Sequence, residues 1–301
     1  MMKNIKNKIK RTGSFQGTKI NPKKFHRSQL KFYLILIPVA LFMVMPLVFI
    51  FNHAFKPLNE LFAFPPRFFV IRPTTENFIR LFSSRAIGGM PITRYFFNSI
   101  LVSVLVVVLT VFISTMAAYA LSKKQFKAKK FMFEINTIAL MFVPVAVVIP
   151  RYLIVANLGL IDTLWAHVLP LLALPVGVFL VKQFIDQLPN ELIEAAYIDG
   201  ANDFQIYFRI IMPLIKPAVA TLAILSFQAV WNNVETSDIF MNVEHLRTLA
   251  FYMETLTGDD NTIAGAGVFA AATLVMFLPN LIIFIFMQRR VMDTMAHSGI
   301  K

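Results

Sequence analysis

Cysteine is absent from all 301 residues, so neither a disulfide framework nor a thiolate metal site contributes, and the redox compartment is not legible from thiols. Charge is scarce too. Asp, Glu, Lys and Arg make up 15% of the chain against 57% apolar side chains, a balance that excludes an ordinary soluble domain. No Gly-x-x-x-x-Gly-Lys-Ser/Thr phosphate loop occurs, so this polypeptide is not expected to bind ATP itself. A His-Glu-x-x-His zinc site, a Gly-x-Ser-x-Gly elbow and a paired-carboxylate site are also missing, so neither a metal site nor an enzymatic centre is expected. A proton-driven transporter would carry carboxylates or histidines through its apolar segments, and no such relay is present. No repeat with a period of roughly 20 to 50 residues is evident.

What is present is apolar length. Segments of span length run from Phe32 to Phe51, Tyr95 to Leu121, Phe131 to Pro150, Ile161 to Val181, Ile210 to Trp231 and Gly267 to Met287. At about 1.5 Å per residue, about 20 residues cross a hydrocarbon core of about 30 Å. The net charge of +13 sits beside these runs rather than on a folded polar surface, so it reads as a topology signal and not as a nucleic-acid footprint. Residues 1–31 carry ten Lys or Arg and no acid, as a retained, unfolded cytoplasmic tail does; no small-x-small cleavage site follows Phe51.

The connections carry the remaining topology. Asn52 to Arg94 holds Pro57, Pro65, Pro66, Pro73 and Pro91, too irregular to lie bare in hydrocarbon, and is expected as an external loop. Lys123, Lys124, Lys127, Lys129 and Lys130 have no compensating acid and mark a return to the cytoplasm. Pro144, Pro170 and Pro175 are expected to kink or interrupt the third and fourth helices. From Asn232 to about Ala264 acids outnumber the single Arg247, as an external loop allows, and Gln288, Arg289 and Arg290 close the sixth span. The expected fold is all-α and polytopic: a basic cytoplasmic tail at 1–31, a six-span domain at 32–290 and a cytoplasmic C-terminal tail at 291–301.

Lys182 to Arg209 has a different character. It contains Glu194-Ala195-Ala196-Tyr197-Ile198-Asp199-Gly200-Ala201, followed by Ile210, Met212 and Pro213. Glu194 to Ile198 favours helix, the alanines keep a face small enough for another surface to approach, and Gly200 permits a turn that a Cβ would oppose. A short helix, a bend and a second helix at the cytoplasmic surface form an element suited to a partner's groove. The pattern resembles the EAA loop of bacterial ABC importer permeases, with Met212 where Leu is usual, a volume-conserving change. The resemblance implies coupling helices between spans four and five, seated in a cleft of a cytoplasmic ATP-binding subunit. ATP and Mg would be held there, and none in this chain. Glu194, Ala195, Ala196, Asp199, Gly200, Ala201, Ile210 and Pro213 would be its coupling residues. A second permease subunit, an extracellular solute-binding protein and a location in the bacterial cytoplasmic membrane, amid lipid, are implied with it.

Further stretches resemble the MalG-like permeases of carbohydrate importers: Phe64-Pro65-Pro66, Pro73-Thr74, Asn77-Phe78, Phe97-Asn98-Ser99, Trp231-Asn232, Arg247-Thr248-Leu249 and, loosely, the tail Thr294 to Lys301. They imply a sugar or oligosaccharide as substrate. An ABC permease for an amino acid or phosphate, or a membrane-embedded enzyme, is the alternative. Gln228, Trp231, Asn232 and Asn233 admit two readings, amides and an indole that grip a sugar, or an interfacial Trp with amides in water. His167 and Glu134, ionisable at or near membrane depth, are either functional or, respectively, a bonded neutral His and a boundary carboxylate beside Lys129 and Lys130.

Overall fold

The computed structural model describes residues 30–83, 89–259 and 263–298, with backbone alone at 257–259, 263–264 and 289–298. The basic tail before residue 30 and the side chains of the C-terminal tail lie outside the described residues. Helix is the regular structure throughout, as hydrocarbon demands of a backbone with no water to bond. In chain order, α1 is Leu30–Ala54, α2 Leu58–Leu61, α3 Glu76–Ser83 and α4 Ile92–Lys123. Next come α5 (Lys129–Ala139), a 3-10 turn at Pro144–Val147 and α6 (Val148–Asn157), then α7 (Leu164–Leu172), α8 (Pro175–Asp186) and α9 (Glu191–Ile198). After α10 (Asp203–Ile206), a π-helical turn at Tyr207–Ile211 leads into α11 (Met212–Leu214); α12 (Lys216–Trp231), α13 (Glu235–Phe240), α14 (Leu249–Asp259) and α15 (Ile263–Ser298) complete the chain.

Contacts along α4 define the two ends of the bundle. Its first turns bond residues 244–249, and its last residues bond 186–203. We call these the loop end and the basic end. Among the described residues three helices are long and apolar enough to cross unbroken, α1, α4 and residues 265–288 of α15, and three bent pairs bring the number to six when each is counted as one crossing. The pair α5–α6 turns through 114°, α7–α8 through 44°, and the segment 203–214 meets α12 at 83°. Pro144 and Pro175 stand at two of these breaks, as expected, each at the start of the helical turn that follows. Pro170 sits inside α7.

Two expectations need correction. The fifth crossing does not begin at Ile210: Tyr207, Ile211 and Ile215 turn inward against the ends of α4 and α8, and the crossing helix starts at Lys216, with Pro217 in its first turn. Over residues 232–259 the expected loop is instead a folded segment, with Thr236, Ser237, Phe240, Leu249 and Tyr252 buried within it.

In α4 polarity faces inward. Ser99, Ser103, Thr110, Ser114, Thr115 and Ala118 lie on its buried stripe, while Phe97, Ile100, Val104 and Val108 face outward. Lipid is as apolar as leucine, so helices here associate through close packing of small residues and through hydrogen bonds worth about 0.6 kcal/mol each on average. Gly177 shows how close that approach is, since a Cβ there would stand 2.4 Å from the Leu222 Cδ1.

The stretch after α1 is folded as well. The buried Asn77 amide donates to the carbonyls of Ala54 at 3.0 Å and Lys56 at 2.8 Å, closing the end of α1. A Cβ on Gly267 would come within 2.7 Å of that amide oxygen, so α15 passes directly over the cap. Lys56, itself buried, donates to the Arg67 carbonyl at 2.6 Å, and Glu60 accepts from the backbone N–H groups of Ile71 and Arg72.

Candidate functional site

At the basic end, α9 stops in a Schellman turn. Gly200 holds φ +80, its N–H donates to the Tyr197 carbonyl at 3.0 Å, and the Ala201 N–H reaches back to the Ala196 carbonyl at 2.9 Å. Only glycine takes that φ without strain, and a Cβ there would meet nothing within 4 Å, so the demand is conformational rather than steric. A capping box follows at once. The Asn202 side chain accepts from the Gln205 N–H at 2.9 Å, and the Gln205 side chain accepts from the Asn202 N–H at 2.9 Å. Helix stop and helix start are thus three residues apart, which fixes the bend between α9 and α10.

The two alanines of the motif face different ways: Ala196 is buried against Ile193 and Ile206, whereas Ala195 is exposed. Glu194, Asp199 and Gly200 are also exposed, Ala201 and Ile210 are half-buried, and Pro213 is exposed. The Glu194 side chain makes no hydrogen bond or ion pair among the described residues. One turn on from Glu194 and Ala195, Ile198 is 86% exposed. The outward face of α9 therefore combines an unpaired carboxylate, a small residue and a bare isoleucine.

The element is anchored to the end of α4. Lys124 donates to the Tyr197 hydroxyl and the Asp203 carboxylate, and Tyr197 donates to the same carboxylate. Hydrogen bonds from Lys124 and then Tyr197 hold the Asp203 carboxyl below its ordinary range. Burial alone would lower the Lys124 ammonium, but the bonds to Asp203 and Tyr197 outweigh it and hold it above its ordinary value. Lys123 donates to the Leu188 carbonyl at 2.6 Å and to Asn190 at 2.8 Å. Deeper along α4, the Thr115 and Tyr207 hydroxyls pair at 2.6 Å in a buried contact. Residues read from the sequence as topology charges are thus also clamps, and the signal for that, acids 79 residues away, is invisible to local pattern.

The four candidate pathway residues are not gathered into one site. Trp231 is buried, donates through Nε1 to the Met276 carbonyl at 2.9 Å and stacks on Phe227 with centroids 5.4 Å apart. Asn233 accepts from the N–H and hydroxyl of Thr236. Gln228 and Asn232 remain exposed. Trp231 and Phe227 wall a cleft of about 390 Å³ between α4, α12 and α15, whose other lining is mostly aliphatic.

His167 is wholly buried; its Nε2 donates to the Leu246 carbonyl at 3.0 Å and its Nδ1 pairs with the Thr236 hydroxyl at 2.8 Å, so the ring ties α7 to α13. Glu134 lies exposed, 3.8 Å from Lys130. The ionisable residues that organise the loop end were not foreseen. Arg151 pairs with Glu235, and Arg247 pairs with Glu244 at 2.8 Å while lying 4.2 Å over the Phe251 ring. Asp162, left-handed at φ 58, accepts from the Asn242 N–H at 2.6 Å, the Asn242 amide at 3.0 Å and the Val243 N–H at 3.2 Å. Those bonds, the Asn242 amide first, hold its carboxyl below the usual range. The Asn98 amide donates to the carbonyls of His245 and Arg247, each at 2.9 Å, and the Leu249 N–H donates to Ser99 at 2.8 Å. Two of the short sequence matches, 97–99 and 247–249, are therefore halves of one contact.

Comparison with known proteins agrees with this architecture. Residues 110–290 match the family described as binding-protein-dependent transport system inner membrane component. The probable ABC transporter permease protein YurM of Bacillus subtilis is 33% identical over 89% of this chain and 86% of its own. The arabinooligosaccharides transport system permease protein AraQ of Halalkalibacterium halodurans is 32% identical over 87% of this chain and 93% of its own. In the crystal structure of a bacterial ABC transporter that imports the acidic polysaccharide alginate, one chain superposes with a TM-score of 0.78 at 22% identity, covering 89% of this chain and 99% of that one. Matched over most of its length in sequence and in fold, the chain belongs to the inner-membrane permeases of binding-protein-dependent ABC importers.

Proposed function

We propose that this permease imports an oligosaccharide, and that α9 to α11 form its docking element for a cytoplasmic ATPase. The outward face of α9 carries this reading: Glu194 unpaired, Ala195 small and Ile198 86% exposed at the end of the bundle rather than along its lipid-facing length. Bare apolar surface of that kind calls for a protein partner, and an unpaired acid beside it favours a basic group on that partner. The basic end then lies in the cytoplasm, where Lys123, Lys124, Lys129 and Lys130 belong. ATP and Mg are bound by the partner, and its closure moves the spans by favouring one of their arrangements over the other. A second permease completes the membrane unit, and a solute-binding protein delivers substrate at the loop end. Sugar specificity is supported by relatives named for arabinooligosaccharide, sulfoquinovosyl glycerol and galactooligosaccharide transport.

Uptake of labelled arabino-, galacto- and alginate oligosaccharides by cells with and without the chain tests the substrate class. Loss of one oligosaccharide class is expected. Intact uptake of all three, with amino-acid or phosphate uptake lost instead, refutes it. Glu194→Lys tests the docking element: it is expected to abolish uptake while the permease stays in the membrane, and unchanged uptake rules out the assignment.

A further inference from the structure

α4 is bonded to both ends of the molecule. At the basic end it holds residues 188–207 through Lys123, Lys124 and Thr115. At the loop end, Tyr95 donates to Glu244 at 2.5 Å, Asn98 to the carbonyls of His245 and Arg247, and Ser99 accepts from Leu249. The helix that carries these contacts is 32 residues long with neither proline nor glycine. At about 1.5 Å per residue the helix is about 48 Å long against a core of about 30 Å, so the contacts of Tyr95 at one end and of Lys123 and Lys124 at the other stand near or outside the hydrocarbon boundary, with Thr115 deeper.

Along the chain itself, each route from the docking element to the loop end crosses a break. Along the chain forwards there is the 83° turn into α12, backwards the 44° break between α8 and α7, and beyond that the 114° elbow of α5 and α6. Among the described residues, the apolar cluster around Ile193, Ile206, Tyr207, Ile211 and Ile215 takes Ala118 and Tyr119 from α4 and none from the other two unbroken helices, α1 and α15. A broken path absorbs displacement at its hinge; an unbroken helix passes it on.

We infer that α4 is the rod by which movement of α9 and α10 reaches the 241–249 segment, and that Lys124 is the positioning residue that fastens the docking element to it. The inference rests on the coupling role proposed above. Lys124 is suited to the task because one ammonium holds α9 through Tyr197 and α10 through Asp203, so the two short helices move with α4 as one body. A contact that only stabilised the resting fold would need no unbroken path to the opposite end.

Because this chain has no cysteine, spin labels on Asp238→Cys and Arg72→Cys report on the loop end alone once the partner subunits are made cysteine-free. In the complete transporter in proteoliposomes, ATP is expected to change the distance between them. Lys124→Met is expected to shrink that change and to lower ATP-driven transport of the oligosaccharide identified above at least about fivefold, with the ATPase still co-purifying. Lys124→Arg is expected to restore both, and Tyr197→Phe and Asp203→Asn, which remove the partners, to weaken both. An ATP-driven distance change and transport that survive all three disabling variants overturn the inference. If Lys124→Met fails to assemble, Tyr197→Phe and Asp203→Asn decide it on the same terms. Glu194→Lys runs alongside: its failure with Lys124→Met intact removes the rod and leaves docking standing, whereas normal transport in Glu194→Lys removes the docking reading itself.

Discussion

The two ends of the bundle are held by different chemistry. At the loop end, beside the half-buried ion pairs of Arg151 with Glu235 and Arg247 with Glu244, a set of neutral side chains bonds to backbone: Asn98 to two carbonyls, Trp231 to Met276, His167 to Leu246, Asn77 to the end of α1. At the basic end charged side chains bond to side chains, as in Lys124 with Asp203, Lys182 with Asp186 and Ser122 with Asp186, and these groups are partly or largely exposed. Buried bonds to carbonyls set a shape that neither salt nor pH reaches easily, whereas exposed charges near water are screened and can exchange partners. The loop end is built to keep its form and the basic end to be gripped.

Four substitutions or conditions press on that contrast. The largest loss of stability belongs to Trp231→Ala, about 3–5 kcal/mol in thermal unfolding of the detergent-solubilised protein, because it empties a filled site between α4, α12 and α15. Trp231→Phe, which keeps a ring and loses only the bond to Met276, should cost about 0.6 kcal/mol. Next is Asn98→Leu, which strands the carbonyls of His245 and Arg247 and is expected to cost about 1–3 kcal/mol in the same assay. Gly200→Val comes third: it meets no neighbour but forces a β-branched residue to φ +80, a local cost of about 1–2 kcal/mol. Its signature is lost transport with little change in global unfolding; a large drop in melting temperature instead would erase the distinction between the ends.

The smallest effect is that of pH and salt on α9 and α10. The Asp203 carboxyl is held below its ordinary value, so its contribution is complete above about pH 4 and fades as pH falls through the lowered value. The Lys124 ammonium is held above its ordinary value, so its contribution is complete below about pH 10 and fades as pH rises through the raised value. Protection factors for amide exchange in α9 and α10 should therefore be flat from about pH 5 to 9 and fall slightly in about 1 M salt, while Leu249, held through Ser99, responds less. Equal salt sensitivity at both ends would contradict the comparison.

The six crossings were legible because apolar length is a direct consequence of hydrocarbon thickness. The Gly200 turn was legible for a similar reason, since a left-handed residue after a short helix is a local demand. Ile210 to Ile215 misled because hydropathy counts apolar side chains without saying what covers them; here Ile211 and Ile215 are covered by protein and not by lipid. The 232–264 stretch misled for the opposite reason. Its acids looked solvated, yet Glu235 and Glu244 are satisfied by Arg151 and Tyr95, 84 and 149 residues away in sequence. Trp231 and Asn233 resembled a sugar grip because sequence shows which groups can bond but not that Met276 and Thr236 already engage them.

Asp162 meets two conditions that few side chains satisfy together. Its backbone sits in the left-handed region, which asparagine and aspartate tolerate better than other non-glycine residues, and its carboxylate accepts three N–H donors from Asn242 and Val243. Glycine would satisfy the backbone and leave the donors without their acceptor; glutamate would offer the acceptor and strain the turn. Asparagine would keep the turn and a single neutral acceptor oxygen. The vocabulary open to this corner is close to two letters, and the one present here also carries a charge.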